Sequence, residues 1–221
     1  AIGMNSGAGL GDYGIVIGST SLALGNGTIG IGKNVLANGN YAVVSGYNAA
    51  AAAEGASAIG GSEWSDSNAD GMPAIGEATY ANGNNAIALG GLSGADGDGA
   101  TAIGGQARAL TAYATAVGSG SVAEGDAATA TGANAVAHGV ESSAYGANTW
   151  AGGQYSVGVG SGRFAAGDGA AAIGAGANAI GAYSLASGYG TLAEGGSSTA
   201  VGGAMYDDMS DPEATRAQTH Y

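Results

Sequence analysis

Chemistry in this chain would have to come from few side chains. The two histidines, His138 and His220, stand at unrelated places, and neither a Ser/His/Asp set nor a His-x-x-x-His spacing accompanies them. Gly-x-x-x-x-Gly-Lys-Ser/Thr is absent, so the glycine-rich stretches are not phosphate loops. The chain has no cysteine, which removes disulfides and thiolate metal sites. No enzyme is visible, no cofactor or metal is expected, and catalysis would need a separate domain.

Acids are the most abundant reactive groups. Of 17, eleven fall at one corner of the repeating unit described below: Asp12, Glu54, Asp66, Asp70, Asp96, Asp98, Glu124, Asp126, Asp168, Glu194 and Asp208. Pairs such as Asp96/Asp98 and Glu124/Asp126 carry the oxygen chemistry to hold Ca²⁺ or to meet a basic ligand. The competing reading is a solvated corner that blunts lateral association of sheets. The absence of the Gly-Gly-x-Gly-x-Asp nonapeptide of Ca²⁺-binding rolls favours that second reading. The formal charge of −13, with only Lys33, Arg108, Arg163 and Arg216 positive, repels phosphate backbones and anionic lipid heads and argues against nucleic acid as a partner.

Binding residues are easier to nominate. Tyr13, Tyr41, Tyr113, Tyr155 and Tyr183 recur at one phase of the repeat, and if exposed they offer amphipathic anchors for protein or glycan. The segment Gly61–Gly71 contains a two-residue insertion, Asn68-Ala69, and is expected to bulge, which adds Trp64, Asp66 and Asp70 to the candidate ligand surface. Its alternative is a neutral scar of duplication. Thr101, Thr115 and Thr129 fall in register like the flat threonine array of an ice-binding roll, but the column continues as Ser143, Val157, Ala171 and Leu185.

These residues must be positioned by a repeat. A glycine returns at one phase of a 14-residue unit at Gly18, Gly32, Gly46, Gly60, Gly76, Gly90, Gly104, Gly118, Gly132, Gly146, Gly160, Gly174, Gly188 and Gly202. The insertion separates four units, residues 12–67, from ten, residues 70–209. A phase this strict marks a stack of supersecondary units, each completed by its neighbours. Collagen is excluded, because 47 glycines and 2 prolines at this spacing do not make a Gly-X-Y chain.

With that glycine as position 7, the unit Ala112–Gly125 shows the pattern. Positions 3 to 6, Ala114-Thr115-Ala116-Val117, alternate small and larger residues with the period of a strand. Position 5 is Ala, Gly or Val throughout, and position 6 is mostly Ile, Leu or Val. Position 12 is Ala in twelve units, the exceptions being Ser65 and Asp207, and marks a second strand; position 14 is Gly in ten. Two strands and two glycine-bearing turns make one coil of a parallel β-roll, the glycines supplying positive φ. The fold class is therefore all-β, an elongated stack of coils.

Such a roll needs partners. If positions 3, 5 and 12 fill the interior with methyl-sized groups, little surface is buried there. Ordering 14 residues costs about 15–25 kcal/mol of conformational entropy. Positions 4, 6 and 11 would leave apolar strips in water, so they are expected to meet the same strips on sister chains. Position 11 carries Leu22, Leu36, Trp64, Tyr80, Val122, Val136, Trp150, Phe164, Leu192 and Tyr206, read as packing at a subunit seam rather than a ligand platform.

The ends suggest a piece of something longer. Residues 1–11 are an incomplete repeat whose Ala1-Ile2-Gly3 matches the middle of a unit, and residues 210–221 are a polar transition or tail. Nothing resembles a signal peptide or membrane span, so an anchor is expected outside this sequence.

The run Ala172-Ile173-Gly174-Ala-Gly-Ala177-Asn-Ala179-Ile-Gly181, recurring through residues 12–209, resembles the head repeats of trimeric autotransporter adhesins, the YadA-like heads. That resemblance implies a homotrimer of left-handed parallel β-rolls standing off a bacterial outer membrane. The expected role is multivalent attachment at the cell surface to matrix protein, glycan or other surfaces. The trimeric shaft or receptor-binding tip of a phage tail fibre meets the same mechanical demand, and an ice- or surface-binding roll is a third reading.

Overall fold

A computed structural model describes residues 1–9, 11, 13–61, 79–162 and 164–203. Among them there is no helix. Every element is a short strand in one of two parallel files, one at positions 4–6 such as Thr115–Val117 and one at positions 11–12 such as Val122–Ala123. The chain divides into two compact units, Ala1–Gly120 and Ser121–Tyr221. Each is a parallel β-solenoid in its own right.

The register is the 14-residue repeat made physical. In the first unit Thr101 faces Thr115, Ala102 faces Ala116 and Ile103 faces Val117. In the second, Val157, Gly158 and Val159 face Ala171, Ala172 and Ile173. Each interior position thus sits above its own equivalent, as stacked parallel strands require.

At one place the ladder order departs from the expected unbroken succession of units. Ala50 pairs with Tyr80 and Ser57 with Ile87, an offset of 30 residues. The rung after Gly60 is therefore Gly90, whose carbonyl lies 2.6 Å from where a Gly60 Cβ would stand. The expected next rung, Gly76, and the insertion Asn68-Ala69 lie outside the described residues. The two rungs fit because both put alanine inside, Ala58 on Ala88, with Ile59 facing Leu89 outside.

The interior is narrower than a normal core and is filled by four positions. Ala114, Ala116 and Ala123 at positions 3, 5 and 12 are buried as expected, and position 10 joins them, as Ala107 and Ser121 show. Where Val35 occupies position 10, position 5 of the same coil is Gly30, and a Cβ there would stand 3.5 Å from the valine methyl. The volumes compensate across the coil.

Serine and threonine at position 10 are buried without cost where they find a carbonyl. Ser21 Oγ donates to the Gly32 carbonyl at 2.8 Å, and Thr79 and Thr149 donate to those of Gly90 and Gly160 at 2.7 Å each. These bonds tie a coil to the glycine turn of the next. Position 3 of the second unit is different. Ser142, Ser156 and Ser184 are buried there, and none of their hydroxyls has a hydrogen-bond partner among the described residues.

The turns correct the sequence reading of glycine. Left-handed backbone recurs at positions 2 and 9, held by residues as varied as Asn85, Tyr113, Ala127 and Glu141 at one and Asn34, Leu92 and Gln106 at the other. The position 7 glycines do have positive φ, from 117° at Gly174 to 159° at Gly60. The position 14 glycines do not, and serve another need: a Cβ on Gly125 or Gly139 would fall on the Gly139 or Gly153 carbonyl of the following coil.

Gly132 combines both constraints, with φ of 134° and only 2.5 Å from its absent Cβ to the Gly146 carbonyl oxygen. Gly132→Val is expected to destabilise by more than ~2 kcal/mol, seen as an earlier thermal transition. Ser156→Ala removes an unpartnered buried hydroxyl at a position that is Ala170 in the following coil, and should hold or raise stability by up to ~1 kcal/mol in the same measurement.

Candidate functional site

The five nominated tyrosines all occupy position 2, the first left-handed corner, with φ of 64°, 59°, 58°, 57° and 59° at Tyr13, Tyr41, Tyr113, Tyr155 and Tyr183. A bulky side chain there costs of order 1–3 kcal/mol, whereas Gly27, Gly55 or Asn85 fit the same corner readily. Backbone preference therefore does not explain the tyrosines. All five are exposed, at 92%, 65%, 71%, 58% and 72% respectively.

Three of them share one seat. A Cβ added to Gly27, Gly99 or Gly169, each at position 2 of the preceding coil, would stand 3.0, 2.9 or 2.8 Å from the ring of Tyr41, Tyr113 or Tyr183. Glycine one rung earlier lets the ring lie back along the stack. The other nominated residues, Trp64, Asp66 and Asp70, lie outside the described residues.

The acidic corner does structural work that neither sequence reading anticipated. Asp98 Oδ1 accepts the Asn84 amide N–H at 2.8 Å, and Asp168 Oδ1 accepts that of Gln154 at 2.9 Å. Asn40 plays the same part toward Asn26. In each case a position 1 side chain caps the position 1 amide of the preceding coil. Glu124 pairs with His138 on the next rung, at position 13. Among the described residues, no three acids or histidines converge as a metal site would require.

Position 11 is not a uniform apolar column. In the second unit Trp150 and Phe164 stack with centroids 4.2 Å apart and planes 13° from parallel, and the indole covers Gly152. In the first unit the column runs Tyr80, Gly94, Arg108. Tyr80 lies across Gly94, is buried, and donates its hydroxyl to Asp96 Oδ2 at 3.3 Å, while Asn82 Nδ2 donates to Asp96 Oδ1 at 2.9 Å. Sequence reasoning placed Tyr80 in a seam and missed this network. Its signal was the 14-residue spacing of Asn82 and Asp96 beside a glycine in an otherwise bulky column.

Outward residues of the position 4–6 file remain apolar and exposed. Ile15, Ile17, Ile31 and Ile59 do so in the first unit, and Val159, Ile173 and Val201 in the second. No described helix is long and apolar enough to cross a membrane.

A solenoid of 14-residue coils with glycine at the turn, alanine inside and, in five coils, tyrosine at the corner defines a parallel β repeat protein. The chain matches the YadA head domain repeat at residues 74–93, 95–121, 112–135, 123–149, 165–191 and 179–204, together more than half its length. It belongs to the YadA head repeat family. No curated protein matches it.

Burial, and then the nearby Asp96 charge, raise the Tyr80 hydroxyl pKa well above its ordinary value of 10.0. The folded state thus holds this proton more tightly than the unfolded state does. The associated stability is complete below pH ~10 and is lost as pH rises from there toward the folded value. Melting temperatures across pH 9–11 are expected to fall more steeply for the native chain than for Tyr80→Phe.

Proposed function

We propose that the chain is the adhesive head of a bacterial surface protein, acting as a homotrimer that attaches through many shallow contacts. Membership of the YadA head family supports this reading. The observation that carries it is the row of exposed tyrosines held at left-handed corners against backbone preference. Strain kept at an exposed position five times over is accounted for by what the rings touch outside the chain.

Trimerisation follows from the other face. Ile15, Ile17, Ile31 and, beyond Ser45, Ile59 make an apolar strip on a sheet whose interior is mostly alanine, and a monomer would leave that strip in water. Sister chains cover it, and the tyrosine corners stay outside. Three copies of a weak site on one body raise apparent affinity for a repetitive target by about 10²–10⁴. Matrix proteins and surface glycans are such targets.

Light scattering is expected to give three times the chain mass, and immobilised trimers should retain a matrix or glycan coat far longer than a monovalent fragment. A stable monomer at micromolar concentration, or one deep site with no gain from immobilisation, would remove this reading.

A further inference from the structure

Within the second unit, position 2 runs Glu141, Tyr155, Gly169, Tyr183 on consecutive rungs, each with positive φ. The rungs are locked: the Gly169 amide donates to the Gln154 carbonyl and the Tyr183 amide to that of Asp168, both at 2.7 Å. Tyr155 and Tyr183 are thus two strand spacings apart, roughly 9–10 Å along the stack. Between them Gly169 presents bare backbone, with the Tyr183 ring leaning over it. Asp168, beside that glycine, is exposed, as is Glu141 on the rung before Tyr155.

This is a ruler with two aromatic marks and an acid at the midpoint. A β-1,4-linked pyranose chain turns over at each residue, so the same sugar face returns every second residue, at a length comparable to the tyrosine spacing. Aromatic rings pack against the apolar C–H face of a sugar, and Gly169 is the seat on which the Tyr183 ring lies. A protonated amine on the sugar finds Asp168 and Glu141 and is attracted by the Tyr face. The chain's charge of −13 disfavours anionic glycans and favours a cationic one.

We propose that Tyr155, Gly169 and Tyr183, with Asp168 and Glu141, form a binding strip for an extended β-1,4-linked glucosamine chain, a cationic aminoglycan. This rests on the surface-binding reading above and names its ligand class. The first unit repeats the Tyr-Gly-Tyr spacing at Tyr13, Gly27 and Tyr41, but with Asn26 where Asp168 stands. It therefore serves as an internal comparator with the aromatic spacing and without the midpoint charge.

The test is calorimetric titration of the full chain with fully deacetylated glucosamine hexasaccharide at low salt. The fully N-acetylated hexasaccharide and hyaluronan are compared in parallel. The glucosamine hexamer should bind saturably and more tightly than either, and weaken as salt is raised. Tyr155→Ala with Tyr183→Ala should weaken it about tenfold or more, while the paired Phe variants bind as the native chain does. Asp168→Asn keeps an oxygen acceptor for the Gln154 amide and should weaken binding about threefold. Thermal melting checks that each variant is folded.

Absence of saturable heat, or equal affinity of the native chain and the double alanine variant, overturns the proposal. So does equal binding of the N-acetylated hexamer. Retention of both the native and double alanine chains on a matrix-protein coat would, with any of these, leave the adhesive reading standing and remove only the glycan. Loss of retention on every coat would remove both.

Discussion

The distance between stacked coils governs this molecule. Parallel strands pair at ~4.8 Å, and here the turns stack at that spacing as well as the strands. A turn held so close to the next leaves no room for a side chain directed along the stack. That is why Gly125, Gly139, Gly153 and Gly167 each direct an absent Cβ at a carbonyl of the following coil, although none of them has positive φ. Position 7 adds the conformational requirement to the steric one. Glycine here is first a demand of close approach and second a demand of backbone angle.

The same spacing dictates the interior. Residues stacked at one strand spacing in a narrow coil cannot all be large, so Ala dominates positions 5 and 12, positions 3 and 10 are mostly Ala, Ser or Thr, and a valine such as Val35 is matched by a glycine across the coil. Hydroxyls enter this space because serine is hardly larger than alanine. Position 10 lies within reach of the following glycine carbonyl, so Ser21, Thr79 and Thr149 are satisfied. At position 3 Thr28 reaches the Gly25 carbonyl at 3.0 Å, whereas the shorter Ser142, Ser156 and Ser184 remain unpaired. An interior of methyl groups and hydrogen-bonded hydroxyls stabilises each coil little beyond its ladder, while Ile15, Ile17 and Ile31 stay exposed on the outer side of their sheet.

Much of this was legible in the order of residues, for physical reasons. The Gly phase and the small/large alternation of Ala114-Thr115-Ala116-Val117 follow directly from spacing and pleat, and both appear as rungs and buried alanines. What escaped was whatever several residue types satisfy equally. Position 10 accepts Ala, Ser, Thr and Val, so its burial has no compositional signature. The left-handed corners tolerate Tyr, Asn, Glu, Ala and Ser, so no consensus announces them. The 30-residue step from Ser57 to Ile87 has no sequence signal, since the inward Ala58 and Ala88 belong to a column that is mostly alanine. The tyrosines were found by phase, but the glycine seats beneath Tyr41, Tyr113 and Tyr183 required coordinates.

The division of labour among the fourteen positions explains where function can vary. Positions 3, 5, 7, 10, 12 and 14 answer to close approach or to the narrow interior, and a change there disturbs the neighbouring coil as well. Positions 4 and 6 lie on the outer side of their sheet, where Ile17, Ile31, Ile59 and Ile173 are exposed. Positions 1, 2 and 13 face outward at the corners, as does position 9 apart from the buried Asn48. Variation is cheapest there. Asp98 and Asp168 use position 1 to cap the preceding coil, Glu124 and His138 pair at position 13, and position 2 runs from glycine through glutamate to tyrosine. Choosing tyrosine at a left-handed corner goes against the local backbone preference, and a glycine one rung earlier to seat its ring adds a second departure from random variation. Two linked departures, found at Gly27/Tyr41, Gly99/Tyr113 and Gly169/Tyr183, are the physical ground on which the proposed tyrosine surface rests.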